Sequence, residues 1–234
     1  MDDRCIALYD SGAGGLNLLY KLHRLFPKEN LAYFSDEKNF PYGNKTKEEI
    51  SKIASEKTKR ILTFSPKAVI FACNTLSTSA LKEYTNFPVK VFGVSPKVVS
   101  DEKTLIICTK LTAESDFISN LIKENDGVDI KIMNGLAEEV EAWVKGGKKP
   151  DVTKRFKETE KNYDSVVLGC THYLFLKEEI AKIFPLSKIS DGTDDTLAKI
   201  KGWLTTNYSA NNNGELCFAN NKDKECFLRF FKGF

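Results

Sequence analysis

At 234 residues with 41% hydrophobic side chains, the chain is large enough for one α/β domain or for two lobes of roughly 100 residues each. Its formal net charge is only +3 and its basic residues are spread out, which argues against the positive stripe of a nucleic-acid binder. No apolar run nears the ~20 residues of a membrane span, and Asp2, Asp3 and Arg4 do not open a signal peptide, so a cytoplasmic location is expected.

In chain order, the apolar runs 5–9, 31–34, 68–72 and 89–94 are predicted as buried strands. Runs 104–108, 129–133, 165–168 and 188–190 follow with the same character. Between them the apolar spacing predicts helices over 16–25, 47–63, 115–123, 136–145, 152–161 and 193–205. Strands alternating with helices imply parallel sheets with helices on both faces. The basic stretch 145–149, Lys-Gly-Gly-Lys-Lys, reads as a solvated turn after its helix. The Asn-rich tail after Asn207 is expected to turn back onto the first lobe through 215–219 and the aromatic stretch 226–231.

The two halves share a layout. The first strand of each runs into a polar loop, at Asp10 and at Thr109. The third strand of each ends on a small residue, a cysteine and two polar residues: Ala72-Cys73-Asn74-Thr75 and Gly169-Cys170-Thr171-His172. This predicts two similar α/β lobes, 1–95 plus 206–234 and 96–205. Ligands of open parallel sheets bind beyond the carboxyl ends of the strands. Facing lobes would therefore set Cys73 and Cys170 on opposite sides of one cleft.

Six widely spaced cysteines with no CxxC, and only two histidines, suit neither a disulfide framework nor a zinc site. Cys5, Cys108, Cys217 and Cys226 read as packing residues. Cys73 and Cys170 lie past their strands at helix entrances, where backbone N–H groups favour a thiolate. A matched pair of thiols suits exchange of a substrate α-proton by two bases: one takes it, the other returns one on the opposite face. No metal-ligand cluster or pyridoxal lysine motif is evident, so oriented donors around a substrate carboxylate would have to lower the barrier. The turn Asp10-Ser11-Gly12-Ala13-Gly14-Gly15 can cradle an anion but fits neither nucleotide-loop pattern. Asp10 is either a helix cap or a partner for a base or a substrate ammonium. Asn74, Thr75 and Thr171 can bond a carboxylate or cap their helices. His172 is better placed to help than His23.

Taken together and in order, Asp10-Ser11-Gly-Ala-Gly-Gly, Phe34-Ser35-Asp36, Pro41-Tyr42-Gly43, Cys73-Asn74-Thr75, Gly93-Val94-Ser95-Pro96 and Gly169-Cys170-Thr171-His172-Tyr173 resemble glutamate racemase, of the aspartate/glutamate racemase superfamily. The resemblance spans nearly the whole chain. It implies two pseudo-symmetric α/β lobes, each a parallel sheet flanked by helices, with the active site between them. It implies cofactor-independent interconversion of L- and D-glutamate for peptidoglycan synthesis, commonly in a homodimer. It gives Cys73 and Cys170 the proton transfers, Asp10 and His172 the role of helpers, and Asp10, Ser11, Tyr42, Gly43, Asn74, Thr75, Thr171 and His172 the surroundings of the substrate. A second-lobe helper acid is matched best by Glu141, with Glu138 and Glu139 in the same acidic run. Leu76, Lys110-Leu111 and Leu174 depart from the pattern, and Leu76 implies a tighter pocket. An aspartate or broad-specificity racemase of the same superfamily is the alternative; a catalytically silent binding protein on the same fold is a further one.

Overall fold

The computed structural model describes residues 3–207 and 213–231. It contains two parallel sheets. In the first, β1 (Ile6–Asp10), β2 (Leu31–Ser35), β3 (Ala68–Phe71) and β4 (Lys90–Gly93) lie in the order β4-β3-β1-β2. In the second, β5 (Thr104–Cys108), β6 (Val128–Ile132), β7 (Ser165–Gly169) and β8 (Lys188–Ser190) lie in the order β6-β5-β7-β8. Counted from each lobe's own first strand, the two orders are the same. The resemblance between the halves is thus one of topology.

The central strands β1, β3, β5 and β7 are buried along their whole length. That is why their sequences are continuous apolar runs and not alternations. Helices α1 (Leu16–Leu25), α2 (Lys47–Leu62) and α3 (Asn74–Ala80) accompany the first sheet. α1 presses Leu16, Leu18, Leu19 and Leu22 into the core, and α2 opens on a capping box between Thr46 and Glu49. In the second half, α4 (Lys110–Ala113) and α5 (Asp116–Glu124) follow β5, α6 (Leu136–Val144) follows β6, and α7 (Lys177–Ile183) precedes β8. Gly135 begins α6 at a φ of 72°, a conformation most side chains resist.

α8 (Thr193–Asn207) leads back: the Thr196 hydroxyl donates to the Gly93 carbonyl at 3.0 Å, and Trp203 meets Phe92 edge to face. Strand β9 (Leu216–Phe218) then pairs in parallel with β2 as a fifth strand of the first sheet. The final helix α9 (Asn221–Phe230) packs Phe230 against Trp143 and Phe175. The expected return of the tail onto the first lobe is present at 216–218; within 226–231, Phe231 stacks on Tyr20 of α1, but Cys226 and Phe230 meet Val144, Trp143 and Phe175 of the second half, so the last helix spans both. Residues 1–2, 208–212 and 232–234, which include Asp2 and two of the three asparagines at 211–213, lie outside the described residues.

One predicted helix is not there. Within 152–161 only a single 3-10 turn forms, at Thr153–Phe156. Val152 and Phe156 reach the core, but 157–161 carries no further core-facing residue, so nothing rewards a longer helix.

Candidate active site

The candidate residues converge where the carboxyl ends of β1, β3, β5 and β7 face one another across a seam. Cys73 precedes α3, and Cys170 precedes a 3-10 turn, Thr171–Leu176. Both sulfur-bearing residues are 6% exposed. Asp10 links the two sides, since it accepts from Thr171, the residue after Cys170, and lies 3.4 Å from the Ser11 hydroxyl, itself 3.8 Å from Cys73 Sγ.

Each thiol has its own partners. On the first-lobe side, the Ser11 hydroxyl lies 3.8 Å from Cys73 Sγ and 3.4 Å from Asp10 Oδ1. Asp10 is fully buried; it accepts the Gly12 N–H at 3.0 Å and the Thr171 hydroxyl at 3.1 Å. Burial pushes its carboxyl above the ordinary aspartate range, while His172, Gly12 and Thr171 oppose the rise. Burial, then the Asp10 carboxylate, push the Cys73 thiol up. On the second-lobe side, His172 Nδ1 lies 3.9 Å from Cys170 Sγ and Nε2 lies 2.8 Å from Glu141 Oε2. Burial works against an imidazolium here, yet the Cys170 sulfur and the Glu141 carboxylate more than offset it and hold His172 well above its usual range. Burial also works against the Glu141 charge, but His172, Lys145 and the Ala13 N–H hold that carboxyl down to about 2.

The acidic run on α6 is resolved by its helical phase. Glu141 is buried beside Ala137, Val140 and Val144. Glu138 instead accepts from Asn44, and Glu139 pairs with Arg155. Glu141 also crosses the seam, accepting the Ala13 N–H at 2.8 Å.

The remaining candidates line the same seam or its edge. Thr75 and Thr109 hydroxyls meet across it at 2.9 Å, and both bond Thr112, at 3.1 and 2.9 Å. A Cβ on Gly43 would come within 2.6 Å of Thr109 Cβ. Tyr42 is a partial correction to expectation: its hydroxyl is engaged by Tyr9 and by Asp36 Oδ2, the latter at 2.8 Å, so it can offer a ligand its backbone only. Asn74 is buried, and its Oδ1 has no hydrogen-bond partner.

Sequence reasoning missed three residues. Thr112 carried no signal. Asp36 was noticed only as part of a motif, yet it is buried, pairs with Lys57 at 2.7 Å and holds Tyr42. Lys145 was expected in a solvated turn. Its ammonium instead lies 2.7 Å from Glu141 and 2.6 Å from Glu37. The Glu-to-Lys spacing of four residues on one helix face was the available clue.

No protein-family model matches the chain. It is 34% identical over 212 residues to glutamate racemase of Clostridium acetobutylicum, covering 84% of this chain and 82% of that protein. It is 30% identical over 230 residues to glutamate racemase of Campylobacter curvus, covering 90% and 86%. Among solved structures, glutamate racemase of Francisella tularensis in complex with D-glutamate superposes with a TM-score of 0.80 at 26% identity, covering all of this chain and 95% of that one. With sequence and fold in agreement over most of its length, the chain belongs to the glutamate racemases, a family of isomerases.

Proposed function

We propose that the chain interconverts L- and D-glutamate by moving a proton on and off Cα between the sulfurs of Cys73 and Cys170. The observation that carries this reading is the pairing of two buried thiols, at equivalent strand ends of like lobes, each with separate proton-handling partners. A thiolate on one side of Cα takes the hydrogen as a proton, leaving the electron pair on carbon. The thiol on the other side then gives its proton to the opposite lobe of that carbanion. The two sulfurs end with their protonation states exchanged, ready for the reverse reaction.

In this reading Asp10 with Ser11 serves Cys73. His172, held by Glu141, serves Cys170: a negative sulfur there faces an imidazolium 3.9 Å away. Asn74, Thr75, Thr171 and the backbone of Tyr42 and Gly43 surround the substrate. The unpartnered Asn74 oxygen supports this, because a buried acceptor without a partner is what a ligand's ammonium would satisfy. The closed seam would exclude water and strengthen the field of these groups on the developing carbanion. The chemistry runs on side chains, without a cofactor. Supply of D-glutamate to peptidoglycan in the cytoplasm, by a homodimer, completes the proposal. No helix among the described residues is long and apolar enough to cross a membrane.

The test is circular dichroism on each glutamate enantiomer, with NMR of α-hydrogen exchange in deuterated water. Wild type is expected to racemise and exchange. Cys73→Ser and Cys170→Ser should each lose at least about 100-fold in kcat, the lower end of what a positioned acid–base group supplies, while keeping the wild-type Tm. A wild-type protein that exchanges no α-hydrogen of glutamate would overturn the reading; aspartate assayed beside it tests substrate choice.

A further inference from the structure

The turn after α6 holds a group the proposed mechanism has not used. Lys145 is the residue after the last of that helix, and its side chain is 26% exposed. Its ammonium lies 2.7 Å from Glu141 Oε1 and 2.6 Å from Glu37 Oε1. Glu37 belongs to the first lobe, two residues past β2. Glu141 belongs to the second lobe and takes the first lobe's Ala13 N–H on its other oxygen. One carboxylate is therefore engaged at both oxygens: Oε2 reaches the first lobe directly through Ala13, and Oε1 reaches it through Lys145 and Glu37.

We propose that Lys145 is a positioning residue for the racemase reaction: braced against Glu37, it fixes the Glu141 carboxylate in the orientation that holds His172 beside Cys170. This rests on the functional reading above and adds a residue to it. The physical case is one of geometry. A carboxylate at the end of a glutamate side chain has three torsions, and α6 fixes none of them beyond its backbone. Oε2 serves His172 Nε2 at 2.8 Å and Ala13 at 2.8 Å. With Oε1 released, the carboxylate can rotate and those two bonds lengthen. With Oε1 held by the ion pair to the Lys145 ammonium at 2.7 Å, they stay in line. The brace also spans the seam, because Glu37 belongs to the first lobe and Lys145 to the second.

The other charged groups around the pair do not supply this restraint. Asp10 bonds Gly12 and Thr171, and its charge acts on His172 through space. Asp223 of α9 is held by Ser35 and Asn220, at 2.6 and 2.7 Å. Neither lies within hydrogen-bond reach of Glu141. Lys149, in the same basic run, is engaged with Glu179 and sits over Trp143.

Charge and orientation predict opposite results, which makes the idea testable. Removing a positive charge near His172 by itself raises the imidazole's titration. Letting the carboxylate swing away lowers it. The chain has two histidines, so 15N-histidine NMR shows two imidazoles, and His23→Gln identifies the other. In Lys145→Met the His172 titration is expected to fall by about one pH unit or more, and Lys145→Arg is expected to restore most of it. In turnover, kcat/KM should fall about tenfold, a fraction of what a displacement of about 1 Å at the reacting groups costs. The fall should be equal for L- and D-glutamate, whose free energies are the same. A His172 titration that rises, or does not move, overturns the proposal, as does a loss of activity that arginine fails to rescue. If Lys145→Met does not fold, Lys145→Gln is read in the same way. The titration needs no substrate. A chain inert toward glutamate would therefore defeat the racemase reading alone, and an unmoved His172 would defeat the role of Lys145 alone.

Discussion

Asp223 shows how a single buried carboxyl can set a pH dependence. Burial lifts it to about 6, with Ser35 and Asn220 opposing, against about 3.9 for a free aspartate. The folded chain therefore keeps this proton after the unfolded chain has lost it. The stability it contributes is complete below about pH 4 and is lost as pH rises through about 6. In Asp223→Asn that loss should vanish, so the variant gains on wild type by about 2 kcal/mol between pH 4 and 7, read as a widening difference in Tm. A constant difference across that range would show that Asp223 does not titrate there. Residues of this kind were illegible in the sequence, where Asp223 is one more acid in a polar run. The placement of Cys73 and Cys170 was legible because each follows an apolar strand and is followed by two polar residues, although Cys170 opens a 3-10 turn where a helix was expected. Glu141 was legible in part: the step from Ala137 through Val140 to Val144 fixes which acid turns inward, and only the partners on that face show why it is tolerated.

At the scale of elements, the turn after β1 forms one wall of the site, packed directly on Thr171 and His172. A Cβ added to Gly14 would lie 2.5 Å from Thr171 Oγ1 and 2.7 Å from His172 Nδ1. Gly14→Ala should therefore fold with near-native Tm yet hold the lobes apart. A displacement of about 1 Å at a catalytic group can cost on the order of 100-fold in rate, and kcat/KM on glutamate measures it. Native-like kcat/KM in that variant would mean the seam is not as tight as described. Most strands and helices could be read from apolar runs, and their ends differ by a residue or so. The failure at 152–161 came from treating charged residues near two core anchors as a helical face. β9 is only three residues long, and pairing with β2 gives it order that its own sequence does not.

At the scale of the whole molecule, the two lobes meet closely enough that both thiols are almost sealed. Of the six cysteines Cys217 is exposed and Cys5 half-buried, while the other four are buried. Iodoacetamide should label Cys217 roughly 100-fold or more faster than Cys73 and Cys170, whose labelling waits on lobe opening. Glutamate should slow the latter pair and leave Cys217 unaffected, as followed by peptide mass spectrometry. Equal labelling of Cys73 and Cys217 would show the seam standing open. The shared strand order of the halves was foreshadowed by matched cysteines; the sealing of the seam was not, because it depends on pairs such as Lys145 with Glu37 that lie far apart along the chain. The placement of β9 has a bearing on biosynthesis. Its partner β2 leaves the ribosome early, whereas β9 arrives only after the whole second half has been translated, roughly 10–40 s later at ordinary elongation rates. Throughout that interval a nascent polypeptide carries an unpaired backbone edge, open to mispairing with neighbouring chains until the last-made strand covers it.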